Sequence, residues 1–275
     1  KLPSNLHVLI DEFHKKGYYT LCVNSNPHLT HDKGFTRGFN EFHEIKGKTT
    51  LPSDPDAPEL TFQRKILRAF NKHLYFLNSG ERMYADAEGI TDKVISWLND
   101  NTGKRFFIYA HYMDPHIPYY KHPYDGTYGN PLIKPGRENL DKYSRLYDEE
   151  IEHTDAHLGR IIEYLEINDL YDSTLIVFVS DHGEEFFEHY YWSHANAMFE
   201  EQINVPLIIK PPFSVGSRAI DSSLISLIDI APTLMNLAGF TPPEAWQGKD
   251  FLEPEYSRDY IVSQDLGIMC MRSDK

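Results

Sequence analysis

The feature that most constrains this chain is the apolar run Leu175 to Val179, which ends abruptly in Ser180-Asp181-His182-Gly183. A second apolar run, Val205 to Ile209, follows after a polar, aromatic-rich loop. Both runs are short, rich in β-branched residues and free of charge. At that length they predict strands buried on both faces, as in a parallel sheet covered by helices. Asp181 and His182 then stand at a strand's carboxyl end, the rim where open α/β sheets bind ligands. A carboxylate and an imidazole there can share one cation, and Gly183 lets the backbone turn sharply beneath them. On these residues alone a solvated turn is the plainer reading. His189 and His194, within thirteen residues of Asp181, add ligands and proton carriers to the same rim.

Ser180-Asp181-His182-Gly183-Glu184, then His189, His194, Phe199-Glu200-Glu201 and Val205-Pro206-Leu207, resemble the metal-binding segment of the sulfatase family, within the alkaline phosphatase superfamily. The resemblance implies an α/β fold with a predominantly parallel central sheet flanked by helices on both faces, alkaline phosphatase-like, over residues 1–275 as one domain. It implies that Asp181 and His182 hold one divalent metal ion. Calcium prefers all-oxygen shells, and the nitrogen of His182 leans the choice toward zinc or manganese. His194 occupies a position where many sulfatases carry Lys.

Two other segments follow the family order. Residues 4 to 16 repeat Leu6, Leu9, Ile10 and Phe13 at helical spacing, with Ser4 placed to cap the start and Gly17 the end. Tyr18 to Val23 reads as a buried strand that leaves through Asn24-Ser25-Asn26-Pro27-His28. Turn chemistry accounts for Asn26 and His28 by themselves. The resemblance aligns His28 with a family His that contacts the anionic ester, and Asn26 with the neighbouring Lys, so one positive charge is missing from the implied anion site. Arg105 to Ala110 is the next strand, running into Asp114-Pro115-His116-Ile117-Pro118-Tyr119. The prolines stop that strand and hold its exit extended. The string is similar to a second family signature, which implies that His116 binds the substrate's sulfuryl oxygens; His111 and Asp114 stand nearby.

The remaining elements read as packing. Gly34 to Phe42 is a structural loop with Arg37 in a surface ion pair, and 48 to 60 is a proline-rich loop. Helices are expected at 61 to 77 and at 84 to 99, the latter with Ala87, Ile90, Val94 and Leu98 inward. A long helix from about 139 to 168 turns Tyr147, Ile151, Thr154, Leu158, Ile162 and Leu165 inward and Glu149, Glu150, Glu152 and Asp155 to solvent. A late helix begins at Asp229 as its N-cap, and 259 to 272 form two short strands.

Charge bounds the partners. With 41 acidic against 27 basic residues the net charge is −14, which argues against a nucleic-acid groove. A small anionic ester would then need positive charge supplied locally, by a metal ion. Cys22 and Cys270 are too few for a disulfide framework, and no stretch is apolar for long enough to span a membrane.

The function implied is metal-assisted hydrolysis of a sulfate ester, with His116, His194 and His28 catalytic and Asn26, His116 and His194 binding substrate. No Cys-x-Pro-x-Arg or Ser-x-Pro-x-Arg string occurs in the chain. The expectation is an internal fragment, truncated at both ends, whose nucleophile lies upstream and is formylglycine in a true sulfatase. Loss of both Lys positions favours a second reading, a phosphonate or phosphodiester hydrolase or a phosphoglycerol transferase of the same superfamily. A third is a catalytically inactive binding module, and the residue at the nucleophile position discriminates among the three.

Overall fold

A fully buried strand needs a hydrogen-bonded neighbour on each side, and Tyr19–Asn24 (β1) has them. It pairs in parallel with Glu41–Glu44 (β2) on one edge and with Phe106–His111 (β3) on the other. Thr20 to Asn24 are all buried as a result. Burial pushes the Cys22 thiol up to about 12, so this cysteine acts as a small apolar side chain. The structure, a computed structural model, describes residues 3, 6–47, 84–125, 127–129, 135–195, 197–213, 224–265 and 267–273. The loop expected at 48 to 60 and the helix expected at 61 to 77 lie outside them. The chain divides into two compact units, one up to Tyr164 and one from Leu165 on.

In the first unit the opening helix, Leu9–Lys15 (α1), is shorter than its periodicity predicts. The guanidinium of Arg37 donates to the carbonyls of Pro3 and Leu6, and it also holds Asp11 at 2.6 Å. Those carbonyls are therefore engaged outside a helix, and Leu6 is exposed. The predicted cap, Ser4, lies outside the described residues. Gly17, at φ +81, closes the helix as expected. The predicted surface ion pair of Arg37 is a half-buried clasp between this helix and the loop before β2.

Ala87–Asp100 (α2) starts on Asp86, whose carboxylate accepts from Gly89 N at 3.1 Å, and it buries Ala87, Ile90, Val94 and Leu98. Leu140–Ile167 (α3) is the long helix. Of its predicted inward face Thr154 and Leu165 are buried and Ile151 is exposed, while Tyr143, Leu146 and Glu150 are buried in addition. Glu150 was expected in water. It is fully buried because its oxygens accept from Tyr120 N at 2.5 Å and pair with His122 Nε2 at 2.6 Å, which offsets the loss of hydration.

In the second unit Ile176–Val179 (β4) and Leu207–Lys210 (β7) are strands as read, but they pair antiparallel. Nor are they buried on both faces, since Phe178, Val179 and Ile208 are exposed. An apolar run without alternation does not encode strand direction. Here the intervening 180–206 connection returns the chain against β4, through the hairpin Glu185–Phe186 (β5) and Trp192–Ser193 (β6) and the single turn Glu200–Ile203 (α4). The late helix, Ile230–Leu237 (α5), is entered through a 3-10 turn, Leu227–Asp229. Asp229 stands at the N-cap position of this helix, as expected from sequence, but its side chain makes no cap bond there and instead completes the capping box that Ser226 forms on the 3-10 turn. Ile261–Asp265 (β8) and Ile268–Arg272 (β9) close the chain as an antiparallel pair. No described helix is long and apolar enough to cross a membrane.

Candidate functional site

The loop after β4 is built from its backbone outward. Gly183 N donates to Gln202 O at 2.8 Å, and a Cβ on Gly183 would fall 2.1 Å from Glu201 O. The glycine is needed for this close approach of two backbones, not for the sharp turn that the sequence suggested. Gly183→Ala should therefore cost about 1–3 kcal/mol, read as a fall in the urea midpoint of the full chain. A midpoint unchanged from wild type would mean that the two segments separate freely.

Ser180 Oγ donates to His182 O at 2.6 Å, and His182 N donates to Asp181 Oδ1 at 3.0 Å. The two candidate metal donors, Asp181 Oδ1 and His182 Nε2, lie 3.8 Å apart. Beyond them β5 and β6 bring His194 back, so that its ring lies 4.1 Å from that of His182, tilted by 32°. His194 Nδ1 is 3.1 Å from Glu184 Oε1, and the Glu184 side chain is only 4% exposed. An imidazole with Nδ1–H held by a carboxylate presents Nε2 outward, the arrangement of a positioned acid or base. Glu184, to which the sequence motif alone assigns no role, thus fixes the orientation of the His194 ring.

The hairpin around His194 is strained. Phe187, Tyr190, Ser193 and Ala195 all have φ between 62 and 71, the left-handed region that side chains avoid. The fully buried Glu185 holds them there, accepting from His189 N at 2.9 Å, Tyr191 N at 3.2 Å and Gln202 Nε2 at 2.8 Å. His189 points elsewhere, stacked on Phe199 at 3.8 Å.

In the first unit Asn26 and His28 share one turn, with Asn26 Oδ1 accepting from His28 N at 2.8 Å. Asn26 is therefore engaged in shaping the loop. Lys33, which stands in no motif of the sequence, places Nζ 3.2 Å from His28 Nδ1, so a positive charge lies beside His28 although Asn26 carries none. His116 lies in a turn, its N–H on Met113 O at 3.0 Å, where an extended loop was predicted. Tyr84 imposes the turn by donating to the carbonyls of His116 and Pro118. Asp114 is fully buried and accepts from Ala87 N at 2.9 Å, at the start of α2.

The sequence matches the family described as Sulfatase over residues 1–240. The chain belongs to the sulfatase family. An endo-4-O-sulfatase of Bacteroides thetaiotaomicron is 30% identical over 182 residues, which cover 58% of this chain and 35% of that protein. This sulfatase-family chain thus spans about a third of that curated relative's length. Among solved structures, a 2-O GAG sulfatase superposes at a TM-score of 0.67 with 19% identity, over 95% of this chain and 60% of the other. The phosphonate monoester hydrolase of Silicibacter pomeroyi does so at 0.65 with 20% identity, over 95% of this chain and 65% of the other. At such identities the likeness is one of fold.

Two donors 3.8 Å apart can bridge to one ion at metal–donor distances of about 2.1 Å. Asp181 and His182 therefore fit one edge of a metal site. Among the described residues no third His, Cys, Asp or Glu joins them at comparable range.

Proposed function

We propose that this sulfatase-family chain carries the substrate-facing groups of a sulfuric ester hydrolase. The observation that supports it most is the pairing of His194 with the buried Glu184 beside His182, within the segment whose sequence is most sulfatase-like. Asp181 and His182 would hold the divalent ion, which supplies a positive charge to polarise the ester. We read the parallel sheet of β2, β1 and β3 as covered by helices on both faces, as in the fold neighbours.

Sulfate esters are anionic, so this chain's own residues must first gather positive charge around the non-bridging oxygens. In the first unit His28, with Lys33 behind it, and His116 are the donors offered to such oxygens, and Asn26 shapes the loop that presents His28. His194, oriented through Nδ1 by Glu184, gives the Nε2 proton to the leaving oxygen. Lys33→Ala should raise KM for an aryl sulfate roughly two- to fivefold with kcat little changed, the scale of one exposed charge. An unchanged KM removes Lys33 from the binding charge.

The deciding experiment assays the full-length protein containing this chain against an aryl sulfate and an aryl phosphonate monoester of the same leaving group. A higher kcat/KM for the sulfate is the expected result. Preference for the phosphonate would transfer the reading to phosphoryl chemistry, and turnover of neither would leave a binding module.

A further inference from the structure

A second cluster of metal-ligating side chains lies wholly within the first unit and takes no part in the proposed chemistry. Asp114, in the turn after β3, His122, eight residues on, and His153, on α3, each offer one donor atom, and the three atoms lie within 4.8 Å of one another. Among the described residues it is the one triad of His, Cys, Asp or Glu that converges so closely. We propose that Asp114, His122 and His153 form a divalent transition-metal site, of zinc type, that pins the turn carrying His116 to α3.

The donor set points to that class of ion. Two imidazoles and one carboxylate suit zinc and its neighbours, whereas calcium and magnesium take shells of oxygen. Asp114 is fully buried, and the side chains of His122 and His153 are 13% and 21% exposed, so an ion here would meet little solvent. Behind the first ligands stands Glu150, also fully buried, with Oε2 2.6 Å from His122 Nε2. A histidine that gives its Nε2–H to a carboxylate carries its lone pair on Nδ1 and is more basic there, as in carboxylate–histidine–metal arrangements. Two buried carboxylates and two imidazoles carry a net negative charge when the imidazoles are neutral, and a divalent cation balances it.

The geometry is that of a site ready to close. Asp114 Oδ1 and His153 Nε2 are 4.0 Å apart, and the rings of His122 and His153 stack at 3.7 Å and 15°. Donors on one tetrahedral zinc sit about 3.3 Å apart, so binding draws the three atoms inward by about an ångström and unstacks the two rings. Two of the ligands, Asp114 and His122, flank the turn at His116, and the third, His153, lies on α3. Ligation therefore ties that turn to the helix, and the position of His116 depends on the ion.

The test uses the full-length protein, stripped with chelator and titrated with zinc chloride by calorimetry, with bound zinc counted by elemental analysis. Wild type should bind a zinc equivalent that His153→Gln and His122→Gln each lose and that Asp181→Asn keeps. Zinc a hundredfold above its Kd should raise the Tm of wild type by about 5 °C, and that of His153→Gln by much less. Should one His variant fail to fold, as judged by circular dichroism, the other carries the comparison. Should both fail, cobalt substitution of wild type gives the reading, because a tetrahedral site with nitrogen ligands yields intense visible absorption that a six-coordinate oxygen site does not. Equal zinc binding by wild type and the folded His variants overturns the proposal. So does absence of zinc binding with a Tm that rises on acidification, which would make the cluster a pair of protonated imidazoles neutralising Asp114 and Glu150.

Discussion

His194→Ala should lower kcat on an aryl sulfate by about a hundred- to ten-thousandfold, with KM changed less than tenfold. A proton donor to the leaving oxygen acts in the transition state and scarcely in the ground state, so its removal appears in kcat. Packing alone would give a different pattern, because His194 also stacks 4.1 Å from His182 and truncation there removes a neighbour. His194→Phe separates the two: it keeps a ring against His182 and carries no proton, so it should be as impaired as the alanine variant. His194→Lys restores a proton donor and should recover part of the rate, with activity extending to higher pH because an ammonium keeps its proton to about pH 10. Glu184→Gln keeps an acceptor for Nδ1 and loses only the charge-assisted bond that orients the ring, so its loss should be smaller and again confined to kcat. Full activity in His194→Phe would assign the ring a packing role and leave the leaving-group proton to another residue.

What the sequence made legible follows from how locally each feature is encoded. β1 is readable because its centre, Leu21-Cys22-Val23, is apolar within an uncharged stretch, and α2 because its stripe and the Asp86 cap agree. The sulfatase resemblance rests on short motifs, and those lie on loops whose residues are adjacent in sequence. Glu150 was misread because a carboxylate among Glu149, Glu152 and Asp155 looks like a solvated face, and its partners Tyr120 and His122 are about thirty residues away. The antiparallel pairing of β4 with β7 was misread because direction is set by a connection and not by the strand. The triad of Asp114, His122 and His153 had a signal, five His or Asp within residues 111 to 125 and a His on the facing helix, but no fixed spacing joins a turn to a helix. Lys33 was passed over for the same reason: it reaches His28 through the short helix His31–Lys33 rather than through a motif.

The largest stability effect is expected at Asp229. Asp229→Asn should destabilise the second unit by about 3–5 kcal/mol at neutral pH, because it leaves the Arg258 guanidinium facing a neutral amide in a site that is largely closed to water. The carboxylate is fully buried and accepts from Ser226 N at 3.0 Å, Lys249 N at 2.8 Å, Tyr256 Oη at 2.9 Å and Arg258 Nε at 2.8 Å, with a further contact to Arg258 Nη2. Burial alone would raise its pKa. The Arg258 guanidinium, the two backbone N–H groups and the Tyr256 hydroxyl outweigh burial and hold it below the usual carboxylate range, while burial and the Asp229 charge push Tyr256 up to about 12, so the phenol stays a donor. The sign follows from a depressed carboxyl. Its contribution is present in full above the unfolded value of about 3.9 and is lost as the pH falls through the lower folded value. The gap between wild type and Asp229→Asn in urea midpoint should accordingly be widest near pH 7 and shrink below about pH 4. A double variant, Asp229→Asn with Arg258→Gln, should cost less than the sum of the single losses, since each single change strands the other group. Additive losses would mean that the two side chains stabilise the unit independently, and the buried pair would then lose its place as the anchor of α5.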